Sequence, residues 1–164
     1  FRGHKADIYE GGHRVPFVAR WPGKIPPGSS SDQVICLTDL MATAAAIVED
    51  TLGPDAGVDS YNLLPVLLNG KTEQIREATV HHSVNGSFAI RKGKWKLILC
   101  PGSGGWSDPR RGSPEEEGLP HYQLYDLESD IGETTNLISE HPEVAGELEA
   151  LLEQYKASGR STPE

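Results

Sequence analysis

The chain has 164 residues, 37% of them hydrophobic, and 15 basic against 24 acidic side chains give it a formal net charge of −9. That length fits one domain, or one domain with a trailing piece of another, and excludes two full catalytic domains. The acidic balance repels polyanions at long range and offers no broad basic surface for nucleic acid, so any anion must be caught locally.

The chain opens at Phe1-Arg2-Gly3-His4 with neither an initiator Met nor the pattern of a signal peptide, which reads as an unnatural start. Val15 to Trp21, bounded by Gly11-Gly12 and Pro22-Gly23, reads as a strand that belongs to a larger sheet. Thr38 caps an expected helix through Val48, with Leu40, Met41, Ala44, Ile47 and Val48 along one packed stripe. This apolar stretch is far shorter than the ~20 residues of a membrane span. Leu63 to Leu68 reads as a short helix with Pro65 in its first turn and Asn69-Gly70 at its end. Lys71 to Glu77 is a polar linker, and a domain boundary is placed between residues 70 and 71.

Ala78–Val84, Ser87–Arg91 and Trp95–Leu99 are three strands of an antiparallel meander turned at Asn85-Gly86 and Lys92-Gly93; Gln123–Leu127 is the fourth. Asn85-Gly86-Ser87 also satisfies a glycosylation sequon, but the hairpin turn is the plainer reading. Pro101 to Pro120 is too long for a tight hairpin and is either a surface excursion or a substrate-selecting loop. Pro142 to Tyr155 is a helix whose Val144, Leu148, Leu151, Leu152 and Tyr155 recur at helical spacing and cover the sheet. Cys36 and Cys100 are too few for a disulfide framework, leaving one bond or two free thiols open. As isolated, the chain is α+β: a small four-stranded antiparallel sheet with a packed C-terminal helix, plus a strand and a helix from a larger α/β domain.

The run Arg2-Gly3-His4-Lys5-Ala6-Asp7-Ile8-Tyr9-Glu10-Gly11-Gly12-His13-Arg14-Val15-Pro16, followed by Trp21-Pro22-Gly23, closely resembles the second signature region of the sulfatase family. Asp39-Leu40-Met41, Asp59 through Pro65, Phe88 through Leu97 and Leu124-Tyr125-Asp126-Leu127 extend the resemblance over essentially the whole chain. One departure is Ile131-Gly132, where Asp-Pro is commoner. The resemblance implies the C-terminal part of an alkaline-phosphatase-like enzyme, with residues 1–70 left from the large catalytic domain and 71–164 the small α+β subdomain. It also implies a formylglycine nucleophile and a calcium ion, whose motif and ligands are absent from this chain: neither Cys36 nor Cys100 stands in Cys-x-Pro-x-Arg.

Lys5 matches the family's sulfate-facing lysine. A fixed ammonium there lowers the barrier because negative charge grows on the ester oxygens as the bond to sulfur breaks. Glu10, Gly11, Gly12 and Arg14 read as scaffold behind it. His81 and His82, on opposite faces of one strand, and His13, which with His4 flanks Lys5, are candidate substrate contacts; adjacency on a strand prevents His81 and His82 from sharing a metal. No metal ligands are assigned here.

The expectation is thus a sulfuric ester hydrolase acting on an aryl or carbohydrate sulfate, inactive as this chain alone. Its partners are a sulfated small molecule or glycan, with no nucleic acid and no membrane, and a dimer forms through the face around Phe17, Val18 and Trp21. The family resemblance suggests a periplasmic or secreted setting. Alternatives are a substrate-binding or interaction module without catalysis, and a related phosphoester hydrolase.

Overall fold

The second half of the chain forms four short strands, β1 (Thr79–His82), β2 (Phe88–Lys92), β3 (Trp95–Ile98) and β4 (Gln123–Asp126), in the sheet order β1-β2-β3-β4. The computed structural model that carries them describes residues 1–70 and 73–163. Antiparallel register sets Ile90 opposite Leu97 and Leu97 opposite Leu124, one fully buried row across three strands. Offset by one residue, Arg91, Lys96 and Tyr125 make a row on the other face. Both faces are therefore covered, which explains why alternation is weak in these strands.

The turn between β1 and β2 closes where Asn85-Gly86 predicted it. Ser83 N–H donates to Ser87 O (2.9 Å) and Gly86 N–H to Ser83 O (2.9 Å), with Gly86 at φ +78°. The long helix α4 (Pro142–Ser158) buries Ala145, Leu148 and Leu152, three and four residues apart. It is tied to the Leu97 side of the sheet by the Trp95 and His141 rings, 5.1 Å apart, and by Tyr122, whose hydroxyl donates to Glu149 (2.9 Å). On the opposite face Ile8, Tyr9, Ala89, Ile98, Cys100, Tyr125 and Leu127 form the core cluster. The motif segment at the start of the chain thus belongs to the sheet's own core.

The chain divides into two compact units: Phe1–Val15 with Val80–Gln154, and Pro16–Thr79 with the chain from Tyr155 on. This division differs from the boundary at residues 70 and 71, because residues 1–15 supply one covering layer of the sheet. Part of the expected polar linker, residues 71 and 72, lies outside the described residues.

The expected strand at Val15–Trp21 does not form: no partner strand for it is present among the described residues, and Val15, Phe17 and Val18 are exposed. The expected helix forms as a 3₁₀ turn, Leu37–Asp39, leading into α2 (Leu40–Ile47). Its cap comes from Asp39 rather than Thr38, with Cys36 N–H donating to Asp39 Oδ2 (2.7 Å). The apolar stripe of α2 is exposed and Thr43 is its one buried residue. Polar groups decide the orientation: the N–H groups of Tyr61, Ala42 and Leu63 bond Asp39, Ser60 and Thr43, and Arg76 pairs with Asp39 in the interior. Helix α3 (Leu64–Asn69) has Pro65 in its first turn and is capped by Gly70 in the left-handed region, as its sequence predicts.

Candidate functional site

Lys5 sits at the tip of a tight turn. Asp7 N–H donates to His4 O (3.0 Å) and His4 N–H to Asp7 Oδ2 (2.8 Å), so residues 4–7 close on themselves with Lys5 and Ala6 outermost. Ala6 takes φ +85°, a strained value for a residue with a β-carbon. Neighbours hold it there: Val84 N–H donates to Ala6 O (3.0 Å) and Ile8 N–H to Ser103 O (2.8 Å). A side chain at Gly105 would meet Ala6 O at 2.4 Å, so the loop passes the turn backbone to backbone. The Lys5 side chain is exposed and has no carboxylate partner among the described residues. The result is a free ammonium on a rigid base.

Buried Asp7 is the hub of that base. Its Oδ1 accepts from Trp106 N–H (2.7 Å) and Ser107 N–H (3.0 Å), and its Oδ2 from Ser107 Oγ (2.5 Å) in addition to His4. Burial raises its pKa, but the hydrogen bonds from Ser107, His4 and Trp106 outweigh that and hold the carboxyl below its usual range. Behind the turn, α1 (Glu10–His13) is one helical turn that only glycine permits. A β-carbon on Gly11 would lie 2.3 Å from Gly3 O, and one on Gly12 2.2 Å from Asp7 O. The glycines serve close approach, in keeping with their scaffold role.

Glu10 is buried and in ionic contact with three cations: Lys96 Nζ at 3.1 Å, Arg14 at 3.3 Å and Arg91 at 3.8 Å. Lys96 is wholly buried and also contacts Glu133 at 2.7 Å, whose other oxygen accepts from Glu10 N–H (2.6 Å). Burial pushes both carboxyls up. Lys96 and the two arginines reverse this for Glu10, whereas for Glu133 burial prevails over Lys96 and its pKa is raised. This network pins α1 to the centre of β3.

His13 and His81 come together, their ring centroids 4.0 Å apart, each with a buried Nε2 lacking a partner among the described residues. Burial, then the charge of Lys96, lowers both: His13 to about 4 and His81 well below its ordinary value. Both imidazoles are neutral at pH 7. Main-chain hydrogen bonds to Asp7 and Ile8 set the two rings beneath the segment that carries Lys5. His82 points to the other face, exposed, with Nδ1 3.0 Å from Ser83 O and its ring edge-on to Phe88. Of the sequence-predicted contacts, His13 and His81 are brought together and His82 is not.

The 101–120 loop starts in the interior, with Gly102 to Gly105 buried, and reaches the surface from Trp106 on. Farther on, Arg111 borders a groove of about 900 Å³ shared with Phe88, His121 and Tyr122, while Arg110 pairs with Asp108 in solvent. Both cysteines are free: Cys100 is buried, and Cys36 accepts from Arg76 at 3.4 Å. Among the described residues no three His, Cys, Asp or Glu side chains cluster to hold a metal, and no helix is long and apolar enough to cross a membrane. Neither free cysteine stands in the Cys-x-Pro-x-Arg motif of the formylglycine nucleophile that the resemblance implies. Sequence reasoning missed Asp7, Ser107 and Lys96. Asp7, two residues after Lys5, and the Gly104-Gly105 pair carried the available signal for the clamp; a lysine flanked by Trp95 and Leu97 carried it for the buried cation.

No protein-family model matches the chain. It is 38% identical to an N-acetylgalactosamine-6-O-sulfatase of Bacteroides thetaiotaomicron over 95% of its length, covering 30% of that protein. It is 33% identical to human arylsulfatase A over 93% of its length, covering 31% of that protein. Among solved structures, one from work on glycosaminoglycan metabolism by Bacteroides thetaiotaomicron superposes with a TM-score of 0.80 at 37% identity, over 96% of this chain and 32% of the other. Another, in complex with its substrate D-glucosamine-2-N,6-O-disulfate, gives 0.63 at 26% identity over 88% of this chain and 29% of the other. The chain spans about a third of the length of these relatives. With the Lys5 turn, its glycine scaffold and the four-stranded sheet all in place, these likenesses assign the chain to the sulfatase family, as the counterpart of the C-terminal portion of its members.

Proposed function

We propose that this chain supplies the sulfate-facing cation and part of the pocket wall of a sulfuric ester hydrolase acting on a sulfated carbohydrate. The observation that carries the reading is the exposed, unpaired Lys5 ammonium on a turn fixed from behind by Asp7, Gly12 and Gly105. A cation held in advance needs no reorganisation as charge develops, so its contribution falls on the transition state rather than on binding. Lysine suits this role, because its compact ammonium engages a single oxygen while a guanidinium fork would grip two. Support for a carbohydrate comes from the relatives, one described as acting on N-acetylgalactosamine and one bound to a glucosamine disulfate.

His13 and His81, neutral and side by side beneath the turn, are assigned as hydrogen-bonding groups toward the sugar that leaves; His82 is the weaker candidate. A divalent cation, calcium in this reading, and a formylglycine nucleophile come from outside this chain, as does the metal-binding wall. The setting is periplasmic or secreted.

Hydrolysis assays test the proposal. A longer protein carrying this chain releases sulfate from a 6-sulfated amino sugar with saturation, and the 164-residue chain, with calcium present, releases none above blank. Saturable turnover by the chain alone contradicts the assignment of missing groups; turnover of phosphate but not sulfate esters by the longer protein contradicts the reaction class.

A further inference from the structure

Beside Lys5 the structure holds a second polar group that reaches solvent. His4 Nδ1 lies 2.7 Å from Ser107 Oγ and 3.2 Å from Asp7 Oδ2, with the side chain 60% exposed. The protons available in this cluster fix the state of the ring. Asp7, held below the usual carboxylate range, only accepts. Ser107 Oγ has one proton and donates it to Asp7 at 2.5 Å. What Ser107 offers His4 is therefore a lone pair, so His4 Nδ1 carries a hydrogen and donates it. In the neutral ring the other nitrogen, Nε2, is then a bare acceptor, the reverse of the tautomer that free histidine prefers.

The arrangement is not a nucleophilic triad. In such a triad serine gives its proton to histidine and the carboxylate holds the far side of the ring. Here serine stands between carboxylate and imidazole and gives its proton to the carboxylate. Its peptide N–H and carbonyl are also engaged, by Asp7 Oδ1 and by Ser103 Oγ (2.5 Å), so Ser107 is a fixed spacer.

We propose that His4 is a substrate-contacting residue whose Nε2 accepts a hydrogen bond from a sugar hydroxyl near the sulfate that Lys5 faces, with Asp7 and Ser107 as positioning residues that set its tautomer. This rests on the sulfatase reading and narrows it. An acceptor next to an ammonium matches a ligand presenting both anionic oxygens and hydroxyl donors. A sulfated sugar has both, and a simple aryl sulfate has only the first. Lys5 recognises the ester group common to the two classes; His4 separates them.

Two measurements test this, and they fail separately. In ¹⁵N spectra of the 164-residue chain, recorded where the His4 ring is neutral, His4 shows a protonated Nδ1, held by Ser107 Oγ and Asp7 Oδ2, and an unprotonated Nε2. A wild-type His4 protonated on Nε2 overturns the proposal. In the longer protein, His4→Phe lowers kcat/KM on a sulfated sugar about tenfold, the scale of one lost hydrogen bond, and leaves an aryl sulfate within about threefold. Equal loss on both substrates, or no loss on the sugar, overturns the hydroxyl contact even if the tautomer is as stated. A wild-type protein that hydrolyses neither ester removes the sulfatase reading, while the tautomer result still stands.

Discussion

Replacing Lys96 by Met tests the buried network that fixes the motif segment to the sheet. Lys96 is fully buried between Glu10 and Glu133, at 3.1 and 2.7 Å. Met keeps most of the stem's volume and removes the charge. Glu10 retains Arg14 and Arg91, so the uncompensated carboxylate is Glu133, left with the Glu10 N–H alone. Its cheapest escape is to take up a proton. From an unfolded pKa near 4.5, protonation at pH 7 costs about 3.4 kcal/mol. Since burial already raises Glu133 in the wild type, this is an upper bound, at the low end of the ~3–5 kcal/mol typical of breaking a buried pair. The expected loss is about 2–3 kcal/mol by urea denaturation at pH 7. A carboxyl with a raised folded pKa gains stability as pH falls, so at pH 5 the same escape costs only about 0.7 kcal/mol and the gap to wild type narrows. Neutralising the uncompensated acid as well, with Glu133→Gln, recovers most of the loss. A deficit below about 1 kcal/mol at pH 7, or a gap that does not shrink at pH 5, refutes the reasoning.

The histidine pair makes a second prediction. With His13 held near 4 against an ordinary 6.5, the unfolded chain binds the proton more readily, so stability is full above pH 6.5 and falls as pH drops toward 4. His81 adds to the same slope, and urea titrations of His13→Phe and His81→Phe between pH 7 and 5 should show it flattened. Gly12→Ala forces a β-carbon to within 2.2 Å of Asp7 O and should destabilise by about 1–3 kcal/mol, whereas Gly146→Ala in α4, with open space around it, should stabilise by about 0.5–1 kcal/mol. The isolated chain, with Phe17 41% and Val18 90% exposed, should self-associate in sedimentation; a monomer at high concentration, unchanged by Val18→Asp, argues against that.

The sheet was legible because its turn signals are local: Asn85-Gly86 and Gly93 fix two reversals, and residues between them have nowhere else to pair. The spacing of Leu148 and Leu152 likewise revealed α4. The expected strand at Val15–Trp21 did not form, since a strand depends on a partner that its own residues do not encode. Helix α2 presents the opposite face to that expected because burial there follows Asp39, Thr43 and Arg76, polar groups that satisfy buried backbone, rather than apolar count. At the site, Lys5 and its glycines were visible through a family pattern. The clamp was not, because Asp7 and Ser107 lie 100 residues apart and nothing local marks the pairing. Lys96 was hidden for a similar reason: its counterions come from residues 10 and 133, and the alternation of β3 alone reads it as a solvated lysine.

The most direct measurement is steady-state kinetics of Lys5→Ala in the longer protein, on a sulfated sugar. A preorganised charge that acts on the transition state predicts a fall in kcat of about 10²–10³ with KM little changed. Wild-type kcat in that variant, or a loss confined to KM, would mean that the lysine binds substrate or does nothing, and the catalytic role assigned to it would be wrong.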